Sequence, residues 1–249
     1  MINLQKLQNL LYFTYFFLVY CQLLPFLCIL LIPIYGNKIN TMYCKFCNDY
    51  FFKIKLITTK DSEYIQSGFI LANHRSIFDL FIDLYRSNAT VIARRFAYFG
   101  VLPLSLLYEF TQGVIMIIRG KDTRQQIYQK IKNKMKIKSG KVIFFPEGSR
   151  LHYTTLNSSD DVKTYLKYGL LKEIYNDKEN LPVQLQISSN KEHVINERIF
   201  KICNNIVVKT HISKPIYPAD FQTEQEFYDS IAKEWYNAWK ITHNDVSIM

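Results

Sequence analysis

The sequence lacks the features of several protein classes. Its 249 residues include only five cysteines, an odd number that excludes a secreted disulfide scaffold. No internal repeat and no low-complexity linker divides the chain. Apolar residues make up 49% and charged residues 21%, proportions that exclude a disordered, collagen-like or coiled-coil chain. The length indicates one large domain, or one domain with a small appendage.

Motifs for metal and nucleotide chemistry are also missing. Cys44-x-x-Cys47 is a single pair, and a zinc site would need two further ligands that no nearby His or Cys supplies. No H-E-x-x-H sequence occurs, and the spacing from Gly113 to Gly120 is too long for a phosphate-binding loop. Ser149 lacks the second glycine of a nucleophile elbow. We therefore expect reduced thiols and no bound metal.

Negative charge is scarce. Lys and Arg number 31 against 21 Asp and Glu, a formal net charge of +10. Such a chain favours anionic partners: nucleic acid, lipid head groups or phosphorylated small molecules. The run Arg119–Lys141 holds nine basic residues against Asp122 alone, so a membrane-tethered nucleic-acid-binding protein is one alternative. The run has no aromatic residue beyond Tyr128, which favours a solvated helix face or one lying on anionic lipid.

One long stretch has no charge at all. It lies between Lys6 and Lys38, and its core, Leu10–Tyr35, is almost wholly apolar. A bilayer core of about 30 Å needs about 20 helical residues. We therefore predict a membrane-inserted segment at residues 1–40 of an integral or monotopic protein, and a second domain at 41–249. Pro25 would either kink one spanning helix or divide the run into a hairpin within one leaflet.

Beyond Phe52, short apolar runs alternate with helix-length polar stretches, which predicts an α/β fold with a largely parallel sheet flanked by helices. A helix is expected from Asp122 to about Lys138. Another follows the capping box of Thr223 and Glu226, with an apolar stripe at a spacing of four residues. The predicted strands are Gly68–Ala72, Thr90–Ala93, Gly113–Ile118, Lys141–Phe145, Pro182–Ile187 and Ile206–His211.

The sequence Asn73-His74-Arg75-Ser76-Ile77-Phe78-Asp79 directly follows a predicted strand. If the chain turns into a helix there, Asp79 can reach back to the imidazole of His74. A carboxylate on one ring nitrogen fixes the tautomer, so the other nitrogen can take a proton from a hydroxyl. The alternative is a histidine that merely caps the following helix.

Phe144-Phe145-Pro146-Glu147-Gly148-Ser149-Arg150 also follows a strand. Pro146 and Gly148 predict a sharp turn that presents Glu147 and Arg150 beside each other at the sheet edge that carries His74. Arg119 ends a third strand and would add a second guanidinium, whose fork geometry suits phosphate. An ordinary turn with a surface Glu–Arg pair is the alternative.

Together these motifs resemble the glycerophospholipid acyltransferase family, most closely its lysophosphatidic acid acyltransferases. That family has N-H-x4-D, G-x-x-F-x-x-R, F-P-E-G-T-R, a K-x-G element and an apolar strand containing Pro. Here Met116 replaces the Phe of the second motif and Ser149 replaces the Thr of the third. Lys167 and Gly169 match K-x-G, Leu181-Pro182-Val183 matches the strand, and Lys214-Pro215-Ile216 resembles a late G-x-P-I element.

The resemblance implies transfer of an acyl group from acyl-CoA, a co-substrate, to lysophosphatidic acid, giving phosphatidic acid without an added cofactor. His74 would be the general base and Asp79 its orienting carboxylate. Glycerol 3-phosphate or another lysophospholipid is the alternative acceptor, because Leu151–Tyr165 is unlike the usual short loop. The expected partners are acyl-CoA, the acceptor and membrane lipids, with no nucleic acid. The implied substrate-binding residues are Asn73, Arg119, Glu147, Gly148, Ser149, Arg150 and Lys167.

Overall fold

The structure is a computed structural model that describes residues 4–36, 38–76, 79–95, 102–111, 113–118, 120–137, 140–150 and 155–243. The strands are β1 (Lys55–Lys60), β2 (Gly68–Ala72), β3 (Thr90–Arg94), β4 (Val114–Ile117), β5 (Lys141–Phe144), β6 (Val183–Ser188), β7 (Ile195–Asn196), β8 (Lys201–Ile202) and β9 (Val207–Ile212). Seven of them form a central sheet in the order β1-β9-β6-β2-β5-β3-β4. Five of the neighbouring strand pairs are parallel and one, β6 with β9, is antiparallel. The predicted α/β class with a largely parallel sheet is confirmed.

Helices cover both faces of the sheet because its central strands are apolar on both sides. Along β2, Phe69 and Leu71 face one hydrophobic cluster, while Ile70 and Ala72 face the other. One short π-helical stretch, Phe17–Leu23, joins the first two helices, and another, Cys47–Phe52, follows the fourth helix and leads to the first strand. The α-helices are α1 (Leu4–Phe16), α2 (Leu24–Leu30), α3 (Ile32–Tyr35), α4 (Lys38–Phe46), α5 (Asp79–Ser87), α6 (Leu102–Phe110), α7 (Arg124–Ile137), α8 (Ser159–Tyr165), α9 (Gly169–Tyr175), α10 (Lys191–Val194) and α11 (Glu224–His243).

The capping box begins α11 as its sequence predicts. The Thr223 hydroxyl accepts from the Glu226 amide, and the Glu226 carboxylate accepts from the Thr223 amide, each at 3.2 Å. The stripe of α11 then packs onto the sheet, with Trp235 completely buried. These contacts close the sheet face that is opposite the N-terminal helices.

The strand β1 was not predicted. Its sequence, KLITTK, has no continuous apolar run, and most of its side chains are exposed. It is the edge strand beside β9, and lysines at both of its ends keep that edge from pairing with another chain. Edge strands of this kind have too little buried surface to show an apolar pattern.

The apolar N-terminal run forms one continuous helical stretch, Leu4–Leu30, of 27 residues, long and apolar enough to cross a membrane. Pro25 does not divide it: Pro25 lies where the π-helical stretch Phe17–Leu23 passes into α2, and Leu23 and Leu24 keep helical backbone angles there. The stretch keeps Phe16, Cys21 and Cys28 buried in the same cluster as Phe51 and Phe52. Its other side is exposed and apolar: Leu4, Leu7, Leu10, Leu11, Leu18, Leu23, Phe26, Leu27 and Leu30. The division at residues 40 and 41 stays a prediction.

Burial also accounts for the Cys44-x-x-Cys47 pair. Both side chains are completely buried, and the Cys44 Sγ lies 3.0 Å from the Tyr108 hydroxyl. Burial raises the pKa of Cys44 to about 12 and raises that of Cys47 as well. The thiol form, which neither attacks nor binds metal well, is therefore favoured at both positions.

Candidate functional site

The carboxyl end of β2 brings His74 and Asp79 together. The His74 Nδ1 lies 2.9 Å from the Asp79 Oδ2, and the backbone amides of Arg75 and Ser76 donate to the same carboxylate at 2.6 and 3.0 Å. Asp79 is the first residue of α5, so these amides belong to the turn that enters the helix. A carboxylate accepts from Nδ1–H, which leaves the Nε2 of His74 with its lone pair.

The His74 side chain is partly exposed to solvent, whereas the Asp79 side chain is buried. About 24% of the His74 side chain is exposed, against 1% for Asp79. The ring of His74 stacks on Phe145, with ring centroids 4.5 Å apart and an interplanar angle of 21°. Stacking and the carboxylate together fix the plane of the imidazole, so Nε2 is aimed in one direction.

Glu147 reaches the same loop from β5, the strand beside β2. It accepts from the backbone amide of His74, and one of its carboxylate oxygens lies 3.0 Å from the Arg75 Nη1. Burial raises the pKa of Glu147, and the Arg75 guanidinium partly offsets that rise. With both side chains almost fully buried, this ion pair ties the turn after β5 to the turn after β2.

The turn does not present Glu147 and Arg150 to the same surroundings as predicted, and the alternative of a surface Glu147–Arg150 pair is wrong as well. Glu147 points inward to Arg75, whereas Arg150 is exposed and pairs with Glu197. The reason is the turn itself. Gly148 has a φ of +69°, which reverses the chain direction between the two residues.

The remaining predicted substrate-binding residues fall into different environments. Asn73 is completely buried, and its amide exchanges hydrogen bonds of 2.7 and 2.9 Å with the backbone of Ser188, so it joins β2 to the end of β6. A Cβ at position 148 would lie 2.9 Å from the Cδ of Lys167, which therefore runs against Gly148. Ser149 is exposed in the same turn. Arg119 lies outside the described residues.

Two further side chains at this edge were not predicted. Arg94, the last residue of β3, donates from Nη2 to the Gly148 carbonyl at 2.7 Å. The argument that placed Arg119 at the end of a strand applies to Arg94 as well, because the predicted strand Thr90–Ala93 ends at the residue before Arg94. It places an exposed guanidinium beside the turn that carries Glu147 and Gly148.

The second side chain at this edge that was not predicted is Lys191, which is buried at the start of α10. Its Nζ lies 2.8 Å from the Asp83 Oδ2 and 3.7 Å from the Asp79 Oδ2, and it also donates to the Asn73 carbonyl. Gln186 holds the other oxygen of Asp83 at 2.8 Å. Lys191 thus lies between two buried carboxylates directly behind His74.

Lys191 sets the ionisation of Asp79. Burial by itself would raise the pKa of Asp79, but the Lys191 ammonium and the His74 hydrogen bond outweigh burial, and the pKa is lowered. For Asp83 burial prevails, with repulsion from Asp79, so its pKa is raised. The pKa of Lys191 is raised, because its two carboxylates outweigh its own desolvation. Asp79 therefore stays charged and can stabilise a protonated His74.

We expect Lys191→Met to destabilise the chain by about 3–5 kcal/mol at neutral pH, the usual cost of breaking a buried ion pair from one side. A depressed carboxylate pKa contributes stability that is lost as pH falls through the folded pKa. Without Lys191 the Asp79 pKa rises, so less stability is lost on acidification, and the gap in stability between Lys191→Met and the wild type should narrow as pH falls. Thermal midpoints measured across an acid pH series check this.

The control is Lys191→Met combined with Asp83→Asn, which removes one cation and one anion together. The double variant should recover part of the lost stability and bring the acid transition back toward that of the wild type. Parallel stability curves for the wild type and Lys191→Met would contradict a role for Lys191 in the ionisation of Asp79.

The fold has a solved counterpart. No protein-family model and no curated protein sequence matches the chain. Among solved structures, the crystal structure of the 1-acyl-sn-glycerophosphate (LPA) acyltransferase PlsC from Thermotoga maritima is similar, with a TM-score of 0.69 and 17% identity, covering 99% of this chain and 100% of that one. The chain thus shares the fold of an enzyme from the family that its motifs resemble.

Proposed function

We propose that the chain is an O-acyltransferase that moves an acyl group from acyl-CoA to the free hydroxyl of lysophosphatidic acid. The 2.9 Å contact between His74 Nδ1 and Asp79 Oδ2 carries the proposal, because it leaves Nε2 as an accessible base at the carboxyl end of β2. The shared fold with an LPA acyltransferase supports the same reaction class.

In the proposed reaction, His74 Nε2 takes the proton of the acceptor hydroxyl as its oxygen attacks the thioester carbonyl. Asp79 stabilises the imidazolium that forms. When the tetrahedral intermediate collapses, the carbon–sulfur bond breaks and the CoA thiolate receives the proton from His74. No acyl-enzyme forms, so neither Ser76 nor Ser149 acts as a nucleophile. The products are phosphatidic acid and CoA.

An anionic acceptor suits this edge of the sheet. Arg94 and Arg150 are exposed there, and Lys167 runs beside Gly148, so a phosphate would meet donors from three segments of the chain. We extend the phosphate-binding role inferred for Arg119 and Arg150 to Arg94. The same cations suit glycerol 3-phosphate or another lysophospholipid, which remain the alternative acceptors.

The nucleic-acid alternative has less support. Within the basic run, Lys130 pairs with Asp122 at 2.8 Å, and Lys132 pairs with Asp177 at 2.8 Å. Two of its cations are therefore already neutralised by carboxylates of the same chain. A basic helix whose cations pair with carboxylates of neighbouring segments is typical of a solvated surface.

The defining experiment is an acyl-transfer assay with the full-length chain in detergent. One labelled acyl-CoA is tested against lysophosphatidic acid, glycerol 3-phosphate and lysophosphatidylcholine. We expect His74→Ala to lower kcat about 10²–10⁴-fold, since general-base catalysis is worth that much. Asp79→Asn should also lose most activity, because a neutral amide cannot stabilise the imidazolium. Folded His74→Ala with nearly normal turnover would refute the mechanism.

We expect Arg94→Ala and Arg150→Ala each to raise the KM for a phosphorylated acceptor about 10- to 100-fold, the value of one charge-assisted hydrogen bond. The KM for acyl-CoA should change less. Lys178→Ala is the matched control, an exposed cation before β6 and hence at the opposite edge of the sheet. Equal effects of all three substitutions on acceptor KM would indicate general electrostatics rather than phosphate binding.

We also propose that Leu4–Leu30 inserts into the membrane through its exposed leucine and phenylalanine side chains. The chain should then resist extraction by high salt and need detergent for release. Leu18→Asp should weaken insertion, because Asp at the centre of an inserted helix costs about 2.5–3.5 kcal/mol. Ile241→Asp, at an exposed apolar position of α11, is the control and should leave extraction unchanged. Release of the wild type by salt alone would show that the helix is not inserted.

A further inference from the structure

Three potential metal ligands meet away from His74. The Asp61 carboxylate, the His211 imidazole and the Glu234 carboxylate each offer a ligand atom, and these atoms all lie within 4.8 Å of one another. Asp61 directly follows β1, His211 lies on β9 and Glu234 lies on α11. Since β1 runs antiparallel to β2, it ends at the sheet edge where β2 begins, opposite the edge of His74.

The Thr59 hydroxyl contacts the Nδ1 side of the His211 ring. The Thr59 hydroxyl donates to the Thr210 carbonyl at 3.4 Å, and its oxygen lies 3.1 Å from the His211 Nδ1. When that hydroxyl proton is given to the carbonyl, Oγ1 accepts from Nδ1–H. In this arrangement the Nε2 of neutral His211 carries a lone pair. Metal-binding histidines commonly have their other nitrogen held in this way.

That lone pair faces a carboxylate. The His211 Nε2 lies 3.3 Å from the Asp61 Oδ2, yet makes no hydrogen bond there, and the His211 residue is only 2% exposed. A lone pair and a carboxylate oxygen repel each other at this distance unless a cation lies between them. The backbone of Asp61 is held beside β9, because its amide donates to the Ile212 carbonyl at 2.9 Å.

The second carboxylate, that of Glu234, favours a metal ion over a proton as the cation at this cluster. Within the described part of the chain, Glu234 has no ion pair, so the cluster holds two carboxylates and one imidazole. A proton on His211 neutralises one of the two negative charges, whereas a divalent ion neutralises both. The imidazole favours a first-row transition metal over magnesium or calcium, which prefer oxygen ligands.

We propose that Asp61, His211 and Glu234 bind one divalent transition-metal ion, with zinc as the representative case. The ion would join the edge strand β1, its neighbour β9 and the long helix α11 through one ligand from each. Three protein ligands leave a fourth tetrahedral position for water. The site is structural, because it lies at the sheet edge opposite the one that carries His74 and Asp79.

The test is a calorimetric titration of untagged, metal-free full-length chain in detergent with zinc alone. We expect one saturable zinc per chain, weakened at least about 10-fold in Asp61→Asn and in Glu234→Gln. At free zinc of about 100 times Kd, the unfolding equilibrium constant should fall about 100-fold, which a raised thermal midpoint reports. Glu63→Gln is the matched control, an exposed carboxylate two residues from Asp61 whose loss should change neither result.

Zinc affinity and the thermal midpoint are both measured without acyl transfer, so they test the zinc site even if the chain has another activity. Zinc binding that is equal in the wild type and Glu234→Gln would overturn the proposal. Absence of saturable zinc binding by the wild type would overturn it as well, and a proton on His211 would then be the cation that faces Asp61. A midpoint that zinc raises equally in Glu234→Gln would show that the ion binds elsewhere on the chain.

Discussion

Burial of the Asp79 carboxylate is the constraint on which the arrangement of the site depends. A charge with 1% of its side chain exposed persists only where donors and a counter-charge replace water. Two backbone amides, the His74 imidazole and the Lys191 ammonium do so here. The amides define the turn between β2 and α5, and the imidazole is thereby held in one tautomer. The contacts that stabilise the buried charge of Asp79 therefore also leave the Nε2 of His74 as a proton acceptor.

The order of the strands explains why these partners are available. β2 lies between β5 and β6, so the segments that leave all three strands meet at one edge. Glu147 arrives from β5 and pairs with Arg75, while Asn73 and Lys191 connect the end of β2 to the segment after β6. Each of these contacts joins a segment from a neighbouring strand to the loop that carries His74. A largely parallel sheet places such segments together because its strands end on the same side.

The sequence allowed the central strands and the His74–Asp79 pair to be predicted, because buried strands show as apolar runs and the pair is local in the chain. Lys191 could not be found in this way. Its two carboxylate partners lie on α5, more than a hundred residues earlier, and a lysine in a polar stretch ordinarily indicates a solvated surface. Glu147 misled the prediction for a related reason: its nearest cation in sequence is Arg150, but burial of the carboxylate selects Arg75. Partners of buried charges are chosen by the fold, which local patterns do not contain.

The N-terminal helix is linked to the site through aromatic packing. The Phe16 ring contacts those of Phe52 and Phe81, at centroid distances of 5.3 and 6.3 Å, and Phe81 lies in the first turn of α5, two residues after Asp79. The helix that presents apolar side chains outward is therefore packed against the helix that supplies the carboxylate. Because packed aromatic cores are rigid, insertion of the exposed face would fix the direction in which His74 faces the bilayer. For an acceptor whose acyl chain lies in the membrane and whose phosphate lies at its surface, that fixed direction would bring the hydroxyl to Nε2 without extraction of the lipid into water.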